Sequence, residues 1–294
     1  MTTIFGVNTS TLRLIRWQFI IKLSLRLVVL ALGLFLFVTL FLPSLLRTSL
    51  PLGLDWTGTF YPAIASGTPY ADSGFYSPPW VIHLLAPLTW LPVLVAVWII
   101  IIGSIIVWIL TMRKLGASLF VILMMLMTPQ LWWGILYANL DFLIPLGLIM
   151  PPSIGMFFVL AKPQAGIGVA IFWVVMSYIQ GGWKSLLKTV APIGVVSILY
   201  CIPYGFWPRE LFSAVDKGWN LSMFPYLAGA GIILLIRAIR CKKIGLAIAA
   251  SPFLSPYVGA QSLPIAALGF LPSEIEAGII LISLWAAWIM RGNM

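Results

Sequence analysis

Long apolar stretches alternate with short polar segments through almost the whole chain. A stretch of about 20 apolar residues crosses the hydrocarbon core of a bilayer, which is about 30 Å thick. Backbone groups that face lipid must be hydrogen-bonded within the protein, so each crossing should be helical. The pattern predicts an all-α membrane protein, a single integral domain over residues 1–294, with about nine to eleven transmembrane or re-entrant helices.

The amino-terminal segment, residues 1–22, places Arg13, Arg16 and Lys22 among apolar side chains. This spacing is typical of a short amphipathic helix on the cytoplasmic surface. The first crossing is predicted at residues 23–46. It has the length of a membrane span and no small-residue cleavage pattern, so we expect it to remain as an anchor.

The distribution of basic residues sets the expected orientation. Arg13, Arg16, Lys22 and Arg26 precede the end of the first crossing, and Arg47 follows it. Because cytoplasmic loops are enriched in Lys and Arg, the amino terminus is predicted to be cytoplasmic and the protein to be integral to the plasma membrane. Residues 47–90 are then expected to form an outer loop that ends in an interfacial helix.

Prolines divide the next apolar stretch, residues 80–112, which as one helix would be about 50 Å long at 1.5 Å per residue. Pro87 and Pro92 predict an interfacial helix over 80–90 and a second crossing over 91–112. The third crossing is predicted as one helix over 118–137.

Two apolar runs after Asn139 are too short to cross a bilayer, since ten helical residues reach only about 15 Å. The first ends at Pro151 and the second at Lys162. They predict a hairpin of two short helices with both open ends facing outward. Asp141 and Lys162 should then be neighbours.

The remaining stretches continue the alternation. Residues 165–179 are predicted to run inward, 190–203 outward and 225–239 inward, with an outer loop over 204–224. Residues 244–271 contain three prolines and form either one kinked crossing or a helical hairpin. The last helix covers 278–290, and Arg291 favours an inside carboxyl terminus.

Composition agrees with a membrane protein and restricts its chemistry. Hydrophobic residues make up 62% of the chain and charged residues 8%, and the mean hydropathy is +1.08. The net charge of +10 lies in the segments between helices, which argues against a nucleic-acid surface. Cys201 and Cys241 are predicted near opposite membrane faces, and with one histidine in the chain no Cys/His metal cluster is expected.

Asp55 is the candidate catalytic residue. It lies in a loop rich in turn-forming and aromatic residues, among them Tyr61, Tyr70 and Tyr76, which can stack on sugar rings. A carboxylate shielded from water can act as a general base on a hydroxyl group. The alternative is a solvated loop acid beside an interfacial aromatic belt.

Three further charged residues are candidates for substrate binding. Lys162 interrupts an apolar run, so its ammonium either binds an anion such as a lipid phosphate or extends to ordinary headgroups. Asp141 either pairs with Lys162, holds an acceptor hydroxyl or caps a helix. Arg209, in the later outer loop, either reaches a phosphate or forms a solvated ion pair.

Nucleotide-dependent chemistry is disfavoured because the sequence contains no phosphate-binding glycine loop and no dinucleotide fingerprint. Serine-hydrolase elbows and His-Glu-x-x-His zinc motifs are also absent. The lone His83 is more typical of a packed or hydrogen-bonded residue than of a metal ligand.

Several motifs in order resemble glycosyltransferase family 87, the bacterial mannosyltransferase-like and arabinofuranosyltransferase-like membrane proteins of the C-type fold. They are Asp55 with Tyr61-Pro62, Gly67-Thr68-Pro69-Tyr70, Tyr76-Ser77-Pro78-Pro79, Ala138-Asn139-Leu140-Asp141, Lys162-Pro163-Gln164 and Ser255-Pro256-Tyr257. The chain departs from the family in having Phe75-Tyr76-Ser77 where Tyr-x-Tyr is common.

The resemblance implies a membrane enzyme that transfers a sugar, mannose-like or a pentose, from a polyprenyl-phosphate donor to a hydroxyl on the outer face, with inversion. It implies Asp55 as the base, with Lys162 and Arg209 stabilising the leaving phosphate. Tyr61, Tyr70 and Tyr76 would shape the pocket, and Asn139, Asp141 and Tyr257 would bind substrate. The acceptor would be a glycan, lipid or protein of the cell envelope.

The resemblance implies no cofactor beyond the lipid-linked phosphosugar, although two carboxylates near a phosphate can hold a divalent ion weakly. Two other classes remain open. A transporter would use short, proline-interrupted helices as a midplane substrate site, and its mark would be an inverted repeat. The third class is a noncatalytic membrane subunit of an envelope glycan assembly.

Overall fold

The computed structural model describes residues 3–4, 7–47, 52–71 and 74–290. Two strands of two residues each, β1 (Thr3–Ile4) and β2 (Val7–Asn8), form a small antiparallel ladder. The remaining regular structure in these residues is helical. This confirms the predicted all-α class.

The first long helix is continuous from residue 9 to residue 47. It comprises α1 (Thr9–Leu36), one π-helical turn (Phe37–Phe41) and α2 (Leu42–Arg47). No break separates the predicted surface segment from the predicted first crossing, so from residue 9 onward the two are parts of one helix. Between residues 9 and 36 the sequence contains no proline, and its one glycine, Gly33, lies close to Met127 in a later turn, where a Cβ at position 33 would be 3.2 Å from the Met127 sulfur.

The loop that carries Asp55 is folded and packs into the main hydrophobic core. A π-helical turn (Trp56–Phe60) leads into α3 (Tyr61–Ser66), which ends at Gly67 in the left-handed conformation. The loop then leads to α4 (Trp80–Thr89). Its buried side chains anchor it against the helices: Trp56, Phe60, Phe75, Trp80 and Val81.

The predicted division at Pro92 is confirmed, because α4 and α5 (Val93–Lys114) are separate helices. The predicted single third crossing is wrong. It consists of α6 (Leu119–Met125) and α7 (Pro129–Leu136), which meet at an angle of 67°. Proline at 129 disfavours the helical conformation for Thr128, which is extended.

The short hairpin forms as predicted, from α8 (Leu143–Ile149) and α9 (Pro152–Val159). Gly147 and Gly155 allow the two helices to approach closely. A Cβ at Gly147 would lie 2.8 Å from the Gly155 carbonyl oxygen, and a Cβ at Gly155 would lie 2.6 Å from that of Gly147. The hairpin returns the chain to its starting point and so brings Lys162 beside Asp141.

Helix α10 (Pro163–Leu199) reverses direction at Gly181 and Gly182, whose backbone conformations are not helical. Ser177 Oγ and Thr189 Oγ1 are 2.8 Å apart across this turn. Residues 12 apart in a straight helix would be separated by about 18 Å, so the two arms must lie side by side. These two arms correspond to the apolar runs predicted at residues 165–179 and 190–203.

The carboxyl-terminal third is helical and packs against α10 in the same hydrophobic core. Its first helices are α11 (Cys201–Tyr204), α12 (Pro208–Leu211) and α13 (Ala228–Cys241). They are followed by α14 (Ile244–Leu254) and α15 (Leu263–Ala267). A Cβ at Gly245 would lie 2.5 Å from the Gly269 carbonyl oxygen, so residues 244–271 form a hairpin rather than one kinked crossing. Both cysteines are free thiols.

The last helix, α16 (Glu274–Met290), begins beside the first helix at Arg26 and ends beside it at Phe41. Arg26 is near the predicted cytoplasmic end of the first helix, and Phe41 is near the opposite end. The helix therefore leads toward the side that holds Asp55. This disagrees with the inside carboxyl terminus that Arg291 favoured; Arg291 itself lies outside the described residues.

Three helical segments in the described part of the chain are long and apolar enough to cross a membrane: Trp17–Arg47, Val93–Lys114 and Pro163–Tyr204. The last of them contains the reversal of α10, so it consists of two arms that lie side by side rather than one straight span. The bent pair α6 and α7 would be a fourth span. Other apolar helices are shorter, among them α4 and α14. The nine to eleven predicted membrane helices are thus a few long helices and several short ones packed between them.

Candidate functional site

A continuous network of polar side chains joins four segments of the chain. Asn139 Nδ2 donates a hydrogen bond to Asp55 Oδ2, and Asn139 Oδ1 accepts one from Lys162 Nζ. Lys162 Nζ also lies 2.6 Å from Asp141 Oδ1, which accepts a hydrogen bond of 3.0 Å from Ser262 Oγ. Lys162 therefore pairs directly with Asp141 and is linked to Asp55 through the carboxamide of Asn139.

The Asp55 loop is fixed to the end of α7 by backbone hydrogen bonds. The amide of Gly53 donates to Leu136 O at 2.7 Å, and the amide of Asp55 donates to Tyr137 O at 3.0 Å. Gly53 has φ +72°, and a Cβ there would lie 2.4 Å from a methyl group of Val97. A side chain at position 53 would therefore push the loop away from α5 and displace Asp55.

The side chain of Asn139 is oriented by a backbone hydrogen bond from the turn that follows it. Ala138 has φ +53° and ends α7. Asn139 then caps the short 3-10 turn Leu140–Phe142, because its Oδ1 accepts a hydrogen bond from Asp141 N at 3.1 Å. With Oδ1 engaged inside the turn, Nδ2 is left to face Asp55.

Lys162 lies between α9 and α10, where its backbone oxygen accepts hydrogen bonds from the first amides of α10. Its side chain is buried, with 7% of the residue exposed, and points into the network. Extension to lipid headgroups, the alternative interpretation of Lys162, is therefore wrong. Asp141 likewise pairs with Lys162 through its carboxylate, as the predicted hairpin requires.

Asp55 and Lys162 line one cavity of about 300 Å³. Three more predicted residues line it: Tyr76, Asn139 and Tyr257. The sequence interpretation assigned no site role to the other polar and aromatic lining residues, which are Thr59, Phe60, Ser77, Tyr137, Gln164, Trp219, Gln261 and Ser262. Gln164 carried a usable signal, because it is a polar residue at the start of an otherwise apolar run.

One wall of the cavity is aromatic. The rings of Tyr76, Trp219 and Tyr257 have centroids 6.0–6.4 Å apart. Aromatic rings at this spacing provide a large apolar surface with polar edges. Such a wall suits a ligand that has both C–H faces and hydroxyl groups.

Four predicted substrate-binding residues do not line this cavity: Tyr61, Tyr70, Asp141 and Arg209. Tyr61 packs edge-on against Trp56, and Tyr70 OH donates a hydrogen bond of 3.0 Å to Ser77 O, so both support the loop from behind. Arg209 is exposed and pairs with Glu210 at 2.7 Å. The solvated ion pair, the alternative interpretation of Arg209, is the one that the structure contains.

Asp141 faces a second, much smaller cavity of about 10 Å³ behind the network. Asp141 Oδ2 and Ser104 Oγ both line it, and neither buried atom has a hydrogen-bond partner among the described residues. A space of this size holds about one water molecule. Asp141 is therefore placed to support Lys162 rather than to contact a ligand in the larger cavity.

The surroundings of Asp55 shift the acidity of its carboxyl group. Burial raises the pKa of the Asp55 carboxyl above its ordinary value of 3.8, and the hydrogen bond from Asn139 and the charge of Lys162 partly oppose that rise. A raised pKa makes the ionised carboxylate a stronger proton acceptor. His83 lies outside this cavity and hydrogen-bonds Tyr200 OH through Nδ1 at 2.7 Å.

Among the described residues, no group of three or more His, Cys, Asp or Glu side chains is placed to hold a metal ion. Comparisons of the chain with protein-family models, with curated proteins and with solved structures found no match. The geometry of the cavity is therefore the basis for a functional assignment.

Proposed function

We propose that this protein is a membrane glycosyltransferase that moves a sugar from a polyprenyl-phosphate donor to a hydroxyl acceptor on the outer face, with inversion. The observation that carries the proposal is the convergence of Asp55 and Lys162 in one cavity, linked by Asn139. A base and a buried cation at one site are what hydroxyl attack on a phosphosugar requires.

The reaction follows from these positions. Asp55 accepts the proton of the acceptor hydroxyl as its oxygen bonds to the anomeric carbon. The bond between that carbon and the phosphate oxygen breaks on the opposite face, and the polyprenyl phosphate leaves with the electron pair. A single displacement of this kind inverts the anomeric configuration.

The charges change together during this step. Lys162 offsets the negative charge that develops on the leaving phosphate. Asp55 becomes neutral when it takes the proton, so repulsion between its carboxylate and the phosphate disappears as the reaction proceeds. Asn139 holds Asp55 and Lys162 in one orientation through its two amide atoms.

Sugar transfer in proteoliposomes tests this proposal. The purified protein is given polyprenyl phosphates that carry radiolabelled mannose or arabinose, together with envelope-lipid acceptors, and labelled product is measured. Asp55→Asn should lower the rate by about 100-fold or more, the usual contribution of a general base. Asp216→Asn, in an exposed part of the outer loop, is the matched control and should retain the wild-type rate.

Three results would overturn the proposal. Equal rates for Asp55→Asn and wild type would remove Asp55 from the chemistry. Movement of an intact phosphosugar or sugar across the vesicle membrane without product would indicate a transporter. If the protein binds the donor without turnover, and an added envelope enzyme becomes active in its presence, the protein would be a noncatalytic subunit.

A further inference from the structure

An apolar cavity of about 430 Å³ adjoins the polar cavity. Its volume lies in the range of about 300–1,000 Å³ that is common for small-molecule sites. The lining is almost entirely apolar and comes from α10, α12 and α14 and from the segments next to them: Pro163, Ile167, Pro208, Leu211, Phe212, Phe224, Leu254 and Pro256. Phe212 and Phe224 are exposed at its rim.

Gln164 and Tyr257 belong to the walls of both cavities. Tyr257 OH donates a hydrogen bond of 3.2 Å to Gln164 Oε1, and both residues are more than nine-tenths buried. The bonded pair thus lies where the polar space meets the apolar space.

Tyr257 has a second acceptor within reach. Its hydroxyl lies 3.3 Å from the backbone oxygen of Tyr76, but a phenol carries only one proton to donate. If Gln164 turns away, the Tyr257 proton can therefore pass to Tyr76 O, and no buried donor is left unpaired. Breaking the bond between Tyr257 and Gln164 should therefore cost no more than one neutral hydrogen bond.

We propose that Tyr257 and Gln164 form a partition that opens to let an amphiphile lie across both cavities. Its anionic head occupies the polar cavity beside Lys162, and the first part of its hydrocarbon chain occupies the apolar cavity. The occupant is a lipid phosphate, a choice that rests on the proposed function. The structural argument for it is the wall that the two cavities share at Gln164 and Tyr257.

Photolabelling identifies the chain site without any need for sugar transfer. The probe is farnesyl phosphate with a diazirine on its chain, added to the protein in nanodiscs and mapped by peptide mass spectrometry. Labels should appear on residues of the apolar cavity, such as Ile167, Leu211 and Leu254. Labels confined to lipid-facing residues elsewhere would overturn the chain site.

Filling the cavity gives a second test. Ile167→Trp should reduce labelling of the cavity by about tenfold, because the indole takes the space of the chain. Leu187→Trp, at an exposed position on α10, is the matched control and should label as wild type does. Equal labelling of Ile167→Trp and wild type would contradict the proposal.

The partition predicts faster entry when its hydrogen bond is removed. Tyr257→Phe keeps the ring and should raise the initial labelling rate about fivefold, the equivalent of one neutral hydrogen bond. Gln164→Met should do the same, because Tyr257 retains Tyr76 O as an acceptor. Tyr226→Phe, at a residue that is 91% exposed, should have no effect. Unchanged or slower labelling of both partition variants would overturn the partition.

The two proposals fail in different ways. Labelling of the apolar cavity with no sugar transfer under any condition would leave the lipid site standing and remove the transferase. Sugar transfer that depends on Asp55, with labels outside the apolar cavity, would leave the transferase standing and remove the chain site.

Discussion

Lys162 Nζ lies 2.6 Å from Asp141 Oδ1, and both residues are more than nine-tenths buried. Removing one partner of such a pair leaves an uncompensated charge away from water. We expect Lys162→Met to lower the free energy of unfolding by about 3–5 kcal/mol. Urea unfolding in mild detergent, followed by tryptophan fluorescence, measures the change.

A second substitution separates charge from packing. Asp141→Asn added to Lys162→Met should recover much of the lost stability, because no unpaired charge remains, whereas sugar transfer should stay lost. The exposed pair of Arg209 and Glu210 is the control, and Arg209→Met should cost about 1 kcal/mol or less. Similar losses for Lys162→Met and Arg209→Met would show that the Lys162 ion pair contributes little.

The ionised carboxylate of Asp55 should destabilise the folded protein at pH values above the pKa of that group in the folded state. Burial raises the pKa of the Asp55 carboxyl, so the folded state binds its proton more tightly than the unfolded state does. Stability therefore falls as the pH rises from the pKa of Asp55 in the unfolded state to its pKa in the folded state. Above both values the folded protein carries the full cost of burying the ionised carboxylate. Below the ordinary value of 3.8 the carboxyl is protonated in both states and the cost vanishes.

Asp55→Asn removes the cost of burying a charged carboxylate. The melting temperature of this variant at pH 7 should therefore exceed that of the wild type, and the difference should disappear at acid pH. Transfer activity of the wild type should rise with pH as Asp55 ionises. Differential scanning fluorimetry from pH 3 to pH 8 and rate measurements over the stable part of that range test both expectations. A variant that is less stable than the wild type at pH 7 would contradict the assigned environment of Asp55.

Gly182 should be required for the reversal of α10. Its backbone angles, φ +60° and ψ −157°, are essentially restricted to glycine. Gly182→Ala is expected to destabilise the protein by about 1–3 kcal/mol. Gly194→Ala, in the helical part of the same element with open space around it, should be neutral or stabilising by up to about 1 kcal/mol. Thermal unfolding of the two variants side by side measures the contrast.

The sequence predicted the parts of the fold that depend on breaks in apolar runs. Pro92 separates α4 from α5, and the turn at Gly181 and Gly182 joins the two arms of α10. The pairing of Asp141 with Lys162 followed from the shortness of two apolar runs. In each case a local feature of the chain limits the length or direction of a helix, and that limit is visible without knowledge of the packing.

What the sequence did not predict depends on tertiary contacts. The bend before Pro129 gives α7 a direction that apolar content alone does not specify. Tyr137 and Ser262 enter the site only because the end of α7 and the start of α15 meet the Asp55 loop. The charge of Arg209 left two interpretations open, a phosphate contact or a solvated ion pair, and the neighbouring Glu210 forms that ion pair at the surface.

The direction of α16 makes a prediction about membrane sidedness. Glu274, at its start, accepts hydrogen bonds from Arg26 and Ser118, and Trp288, near its end, packs against Phe41. If the basic residues around Cys241 are cytoplasmic, Met290 must lie on the outer side together with Ser213.

Single-cysteine proteins and a membrane-impermeant maleimide measure this arrangement in intact and permeabilised cells. Ser213→Cys and Met290→Cys, each in a background that lacks the native cysteines, should react in intact cells. Native Cys241, retained with Cys201→Ala, and Ile275→Cys should react only after permeabilisation, since Ile275 lies at the Arg26 end of α16. Labelling of Met290→Cys and Cys241 from the same side would reverse α16 relative to the rest of the bundle. If all four cysteines showed the opposite accessibility, the orientation of the whole protein would be inverted, with Asp55 facing the cytoplasm.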